Sequence, residues 1–213
     1  MGFKLTTEDY INYFAQTKNV IDAAKDYVTE LDATTGDGDH WANCIMGFEK
    51  ICEKADTMRG QSLSAMFKTV SMTMFSAVGG SSGALYGSGY MAASKAAEGK
   101  EYLDVQSLYE VYSAMLAEIM RRGKTGAGQK TMIDSLYQGL EAYKAALDAG
   151  DDEKTVIEKF VQGAKDGAEA TRDMEAVKGR ASYRTDKGVG HLDPGAVTMS
   201  MQIECMGKYI SEK

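Results

Sequence analysis

Proline occurs once in this 213-residue chain, tryptophan once and histidine twice. A single proline leaves no Pro/Ser-rich linker to divide the chain, and no charge block does so either. The three cysteines, Cys44, Cys52 and Cys205, are an odd number at unpatterned spacings without a CxxC pair, which argues for buried thiols in a reducing compartment rather than a disulfide framework. No uninterrupted apolar stretch is long enough to cross a bilayer. The opening residues hold no long apolar core followed by a cleavage site, so a cytoplasmic protein without a membrane segment is expected. The formal net charge of -7 excludes a general nucleic-acid binder, because no basic stripe offsets it; a local patch of Lys178, Arg180, Arg184 and Lys187 remains. Strand signals are scarce, since no segment alternates cleanly between apolar and polar residues, and no repeat of solenoid period is present.

Helical periodicity fills the space that these absences leave. Apolar residues make up 44% of the chain, enough for a core. Tyr10, Ile11, Phe14, Val20, Ile21, Ala24, Tyr27, Val28 and Leu31 recur at helical spacing after the start signal Thr6-Thr7-Glu8-Asp9. Further helices are expected over 43–55, 62–78, 83–97, 104–122, 131–149, 153–173 and 193–210. The segment 62–78 is apolar on more than one side, as in a central buried helix. The stretch 83–97 is rich in Gly, Ala and Ser, which permits close helix approach. Asp193 before Pro194 is a helix-start signature, an N-cap followed by proline at the first helical position. The expectation is one all-α domain, residues 1–213, of about eight helices.

The densest chemical signal is Asp32-Ala33-Thr34-Thr35-Gly36-Asp37-Gly38-Asp39-His40. A regular helix would spread these aspartates around its circumference, whereas Gly36 and Gly38 allow a tight loop that turns them toward one point. Carboxylates held within a few Å repel one another by roughly a kcal/mol or more each, so the cluster makes sense around hard cations; an oxygen-only ligand set favours Mg²⁺ completed by substrate phosphates. A solvated acidic turn is the other reading. His40 and Asn43, three apart, fall on one helical face beside this loop. They read as donors to a phosphate or ribose, or as a capping residue and a surface amide.

Three more segments could face an anion. Gly79-Gly80-Ser81-Ser82-Gly83 is a glycine-rich bend leading into a helix, and equally a plain helix connection. Gly123 to Met132 approaches a phosphate-binding loop, but Gln129 stands at the lysine position and a helix rather than a strand precedes it. Lys178-Gly179-Arg180 offers a guanidinium fork for phosphate oxygens, and the helix opening at Pro194 presents free N–H groups.

Taken together, these segments resemble, over essentially the whole length, the nucleotide-binding L-subunit family of bacterial dihydroxyacetone kinases. Asp32 with Gly36-Asp37-Gly38-Asp39-His40 and Asn43, Gly79 to Gly83 with Leu85-Tyr86-Gly87, Gly128-x-Lys130-Thr131-Met132, Lys178 to Tyr183, and Gly190-His191 with Asp193-Pro194-Gly195 match five family motifs in order. The resemblance implies an up-and-down barrel of eight antiparallel helices whose loops at one end hold ADP or ATP through two Mg²⁺ ions. It implies Asp32, Asp37 and Asp39 as metal ligands. It further implies that His40, Asn43, Ser81, Ser82, Gly123, Met132, Arg180, Asp193 and Gly195 line the nucleotide site, with Met132 on the adenine and Arg180 assisting transfer. The family's ketone is held by a histidine of a separate K subunit, so neither His40 nor His191 has that role. The phosphoryl donor is either exchanged ATP or a phosphotransferase-system protein acting on bound ADP, and a lone L chain resembles the second class more. A homodimer is compatible with this picture, and a nucleotide-sensing regulatory subunit is the alternative of another class. Two positions depart from the family: Trp41 replaces a glycine after D-G-D-H, beside the phosphates or the docking face, and Thr185-Asp186-Lys187-Gly188 replaces a G-E-R-S. A larger ketose, handled by a divergent K subunit, fits these departures.

Overall fold

The computed structural model describes residues 2–213, and among these the only β-type pairing is an isolated bridge between Leu5 and Leu103. The α-helices are α1 (Thr7–Ala23), α2 (Lys25–Thr35), α3 (His40–Glu53), α4 (Ala55–Met58), α5 (Leu63–Ala77), α6 (Gly80–Ala96), α7 (Val105–Gly123), α8 (Met132–Ala149), α9 (Glu153–Ala170) and α10 (Pro194–Ser211). The class is all-α, as the periodicity predicts. Ten helices stand where about eight are expected for two local reasons. The first long pattern breaks at Ala24, whose ψ of 11° leaves the helical range, and a single turn, α4, follows α3.

Helix ends follow side-chain chemistry. Thr6 and Asp9 form a reciprocal cap at the start of α1: the Thr6 amide donates to Asp9 Oδ2 at 2.7 Å and the Asp9 amide to Thr6 Oγ1 at 3.4 Å. Thr131 and Asp134 do the same for α8. Ser62, Asp152 and Asp193 cap α5, α9 and α10, the last with Pro194 at the first position. Each cap satisfies amide donors that the helix itself leaves open, typically worth about 1 kcal/mol.

Contacts divide the chain into two compact units interleaved in sequence: residues 2–19, 43–123 and 213, and residues 20–42 and 124–212. In the first unit α6 packs against both α5 and α7. Its small residues let neighbours close in: the Ser71 hydroxyl of α5 donates to Gly87 O of α6 at 2.7 Å. The core here is aromatic. Tyr10, Phe14, Phe67 and Tyr90 pack edge-on, tilted or, for Phe67 on Tyr90, stacked, with centroids 4.8–6.3 Å apart, and all four are buried.

In the second unit α8 and α9 form the most extensive pair, and α10 packs on both and also on α2. The α8–α9 crossing is close enough that a Cβ on Gly167 would lie 2.4 Å from the Asp134 carbonyl oxygen, so only glycine fits. Beside it the Ser135 hydroxyl donates to Ala164 O at 2.9 Å. Tyr143 and Phe160 fill the remainder with an edge-to-face contact at 5.1 Å.

Candidate metal and nucleotide site

The acidic loop lies in the second unit, between α2 and α3. Asp32 sits on the last turn of α2, only 7% exposed. The chain then leaves the helix so tightly that a Cβ on Gly36 would stand 2.4 Å from Asp32 Oδ1. Any larger residue at this position would have to displace the Asp32 carboxylate. Gly38 takes a φ of +77° and turns the chain again. Asp32 Oδ2 accepts the first amide of α3, His40 N–H, at 2.9 Å. One carboxylate thus ties the end of one helix to the start of the next, and its partners hold it in place before any ligand binds. Oxygen atoms of Asp32, Asp37 and Asp39 lie within 4.8 Å of one another. This is the convergence read from the sequence, with Asp37 and Asp39 exposed at the rim and Asp32 at the base.

Three charged oxygens at this spacing, with no nitrogen or sulfur donor, suit a hard divalent cation such as Mg²⁺. The Arg180 guanidinium stands 2.6 Å from Asp37 Oδ2, bringing the one sequence-assigned guanidinium to the rim of the cluster. Arg180 belongs to a short 3₁₀ turn, 180–183, within the connection from α9 to α10. That connection is fastened to α2 by Arg184, which donates to Thr34 O at 2.9 Å while paired through both nitrogens with Asp186. Arg184 is consequently committed to structure, and the sequence-level basic patch reduces to Lys178, Arg180 and Lys187. The Lys187 ammonium in turn donates to Ser182 O at 3.2 Å.

His40 is turned toward α10. Its Nε2 lies 2.9 Å from Thr198 Oγ1, and the Thr198 hydroxyl donates to Gly195 O at 3.2 Å, which fits a His40 Nε2–H donor and a neutral ring. Burial holds the imidazole below its ordinary value, against the opposing pull of Asp32 and Asp39. The start of α10 is assembled around Asp193, whose Oδ2 accepts Ala196 N–H at 2.7 Å. Desolvation pushes the Asp193 carboxyl up to about 7, opposed by that amide and by Lys130. Met132 and Gly195 are neighbours: a Cβ on Gly195 would lie 3.6 Å from Met132 Cβ. Met132 is buried at the first position of α8. Gln129 closes the 123–131 loop on itself, accepting from Thr125 Oγ1 at 2.5 Å and Gly126 N–H at 3.2 Å.

The second unit therefore carries Asp32, Asp37, Asp39, His40, Met132, Arg180, Asp193 and Gly195, while Asn43, Ser81, Ser82 and Gly123 belong to the first. There, Asn43 Oδ1 lies 3.4 Å from the Cβ position of Gly79, which precedes α6, so Asn43 borders the glycine-rich turn. Ser81 and Ser82 occupy the first turn of α6, where Gly79 supplies no side-chain cap, and Gly123 ends α7. Trp41 is tied to α1 and to Lys25. Its indole N–H donates to Ile21 O at 3.0 Å and its ring lies under the Lys25 ammonium at 4.8 Å. It works as a strut between α1 and α3. Thr198, which holds the His40 ring, is the neighbour that sequence reasoning missed; the available signal was the polar pair Thr198 and Gln202 on the buried face of α10.

The family model described as the DAK2 domain matches residues 34–208. The chain is 38% identical over 182 residues to the PEP-dependent dihydroxyacetone kinase 1, ADP-binding subunit DhaL, of Listeria innocua, covering 85% of this chain and 86% of the relative. It is 36% identical over 202 residues to the PTS-dependent dihydroxyacetone kinase, ADP-binding subunit DhaL, of Lactococcus lactis, covering 95% and 97%. Among solved structures, the dihydroxyacetone kinase from C. freundii in complex with AMP-PNP and Mg²⁺ matches with a TM-score of 0.71 at 21% identity, over 93% of this chain and 33% of that one. This likeness shows a common fold, and the chain spans about a third of that larger protein. Asp37, Asp39, Arg180 and the capped start of α10 fall inside residues 34–208, with Asp32 two residues before that span, and the chain belongs to the DAK2 domain family.

Proposed function

We propose that this chain, acting as a single nucleotide-binding domain over residues 1–213, is the ADP/ATP-binding subunit of a two-component dihydroxyacetone kinase. Its partners are a substrate-binding K subunit that presents the ketone and a phosphotransferase-system protein that recharges the bound ADP, in the cytoplasm. The observation that carries this reading is the convergence of Asp32, Asp37 and Asp39 within 4.8 Å, with Arg180 at its edge. Relatives at 36–38% identity named as ADP-binding subunits of PEP- or PTS-dependent kinases support the bound-ADP class over exchange of ATP.

Phosphoryl transfer asks a protein chiefly for alignment and charge neutralisation. Asp32, Asp37 and Asp39 would hold two Mg²⁺ ions, which supply the positive charge that offsets the phosphate oxygens. Asp32, fixed by the His40 amide, sets the position of the other two carboxylates. Arg180 offers a planar fork to the oxygens of the group in transfer. His40 gives its Nε2–H to Thr198, which fixes the ring beside the loop, and its backbone amide anchors Asp32. The capped start of α10, with Asp193 and Gly195, brings amides close to the same edge, and Met132 presents a soft thioether suited to an adenine face. Asn43, Ser81, Ser82 and Gly123 are assigned to the nucleotide on the family motifs alone.

Mass spectrometry of material released from the purified protein tests the reading. ADP retained through extensive dialysis with Mg²⁺, and lost with a chelator, is the expected result. Reconstitution with a K subunit and dihydroxyacetone should give transfer with phosphoenolpyruvate and phosphotransferase proteins, and not with ATP alone. Tight nucleotide binding with transfer from neither source would instead favour the regulatory subunit.

A further inference from the structure

Lys130 is one of the most buried side chains in the protein, 2% exposed, and none of the roles above uses it. Its backbone is in the left-handed region, φ +59°, which L side chains rarely adopt. A strained, buried lysine persists only where its surroundings fix it, and here they do. The ammonium donates to two backbone carbonyls, Thr171 O and His191 O. These two residues are the two ends of the connection from α9 to α10, the connection that carries Arg180. The space beside the stem is reserved as well: a Cβ on Gly188 would stand 3.0 Å from Lys130 Cε. Neighbouring bonds finish the closure. Val177 N–H reaches Gln129 O at 3.4 Å, Gly190 N–H donates to Arg172 O at 2.8 Å, and Asp193 N–H donates to Thr171 Oγ1 at 2.9 Å. Burial lowers the Lys130 ammonium from its ordinary value; Asp193 and Asp134 oppose that shift and Arg172 adds to it.

We propose that Lys130 is a positioning residue whose ammonium clasps residues 171 and 191 and thereby holds the Arg180 turn against the aspartate loop. A neutral side chain of the same size fills the same volume and leaves two carbonyls without their donor, which frees the turn. The clasp lies two residues before Met132 and two before Asp193 in sequence, so one cation sets three of the segments assigned to the nucleotide. The proposal rests on the nucleotide-site reading for its consequence in catalysis, and its structural half is measurable with nothing bound.

Hydrogen exchange on the ligand-free full chain, wild type against K130M, provides the test. The expected result is exchange at least tenfold faster for amides 174–190, with α8 and α9 amides within threefold of wild type. Magnesium affinity by titration should change less than threefold while MgADP affinity falls at least tenfold. In K130A, n-propylammonium should slow exchange of 174–190 again and n-propanol should not; equal rescue by both would assign the residue to packing and overturn the proposal, as would unchanged loop exchange in K130M. Should both variants fail to fold, wild-type nitrogen-15 NMR decides. A lysine ammonium signal protected from solvent and coupled to two carbonyl carbons is required, and a set of lysine signals that all exchange at surface rates sinks the clasp. A wild-type chain that binds no MgADP would defeat the nucleotide reading while leaving the exchange comparison intact.

Discussion

The two units differ in whether their interiors hold carboxyl and ammonium groups. The first fills its interior with rings: Tyr10, Phe14, Phe67 and Tyr90 meet one another across α1, α5 and α6. Both bury hydroxyls, such as Ser71 and Ser94 in the first and Ser135, Thr171 and Thr198 in the second, but among the described residues the buried carboxyl and ammonium groups, Asp32, Lys130 and Asp134, belong to the second. Each has a named partner, because an unmatched buried polar group costs about 1–3 kcal/mol. Apolar burial stabilises without specifying chemistry, whereas the polar interior fixes donors and acceptors at set distances. Stability should therefore respond most to the first unit and ligand affinity most to the second.

The largest effect that separates them is F67A. Removing a fully buried ring from the aromatic cluster should lower unfolding stability by about 3–5 kcal/mol, measured by urea titration. Magnesium affinity at the aspartate loop should stay within threefold. A matching loss of magnesium affinity would show that the two interiors are energetically one.

D37A or D39A should do the converse. Magnesium-dependent retention of ADP should fall at least a hundredfold, about 2.7 kcal/mol or more, with far-ultraviolet circular dichroism unchanged. Trp41, the single tryptophan and two residues from Asp39, provides a fluorescence readout of magnesium binding. Retention equal to wild type in either variant removes that carboxylate from the metal assignment.

What could be read from the sequence tracks the range of the interactions. The helices were legible because periodicity and caps are local: Thr6 with Asp9 and Asp193 with Ala196 act across three residues. The aspartate loop was legible for the same reason, since its members lie within eight residues and glycines mark the turn. The break at Ala24 was not, because apolar spacing runs through it without a proline or glycine. Nor was the Thr198 partner of His40, 158 residues away, or the reach of Lys130 to Thr171 and His191. Such contacts follow from how α8, α9 and α10 pack, and no spacing rule in one chain encodes them. Trp41 adds a contact of the same kind: its place after D-G-D-H suggests the phosphates or the docking face, and nothing in that spacing announces the indole's bond to Ile21 O.

D193N sharpens the contrast through pH. Burial raises the Asp193 carboxyl from 3.8 to about 7, so between these values the ligand-free folded protein holds a proton that the unfolded chain has released. The contribution is full below pH 4 and lost as the pH rises through about 7. Asparagine keeps the cap and does not titrate. Stability of the wild type relative to D193N should thus fall by about 4 kcal/mol between pH 4 and 8. A flat difference across that range would place the carboxylate in contact with water.

R180K gives the smallest effect on the fold and the most pointed one on chemistry. The Arg180–Asp37 pair is exposed, with side-chain accessibilities of 69% and 40%, so it contributes little to stability. Unfolding midpoints of R180K and wild type should be indistinguishable. Lysine keeps the charge and shortens neither reach nor attraction greatly, but it replaces a rigid fork by a point charge with no fixed plane. If Arg180 serves only as a counter-charge to Asp37, transfer and ADP affinity will survive the exchange. If it aligns two phosphate oxygens at once, turnover in the reconstituted system should drop about tenfold, or about 1.4 kcal/mol, while ADP affinity changes less than threefold. A fall in affinity of the same size as the fall in turnover would assign the fork to ground-state binding instead.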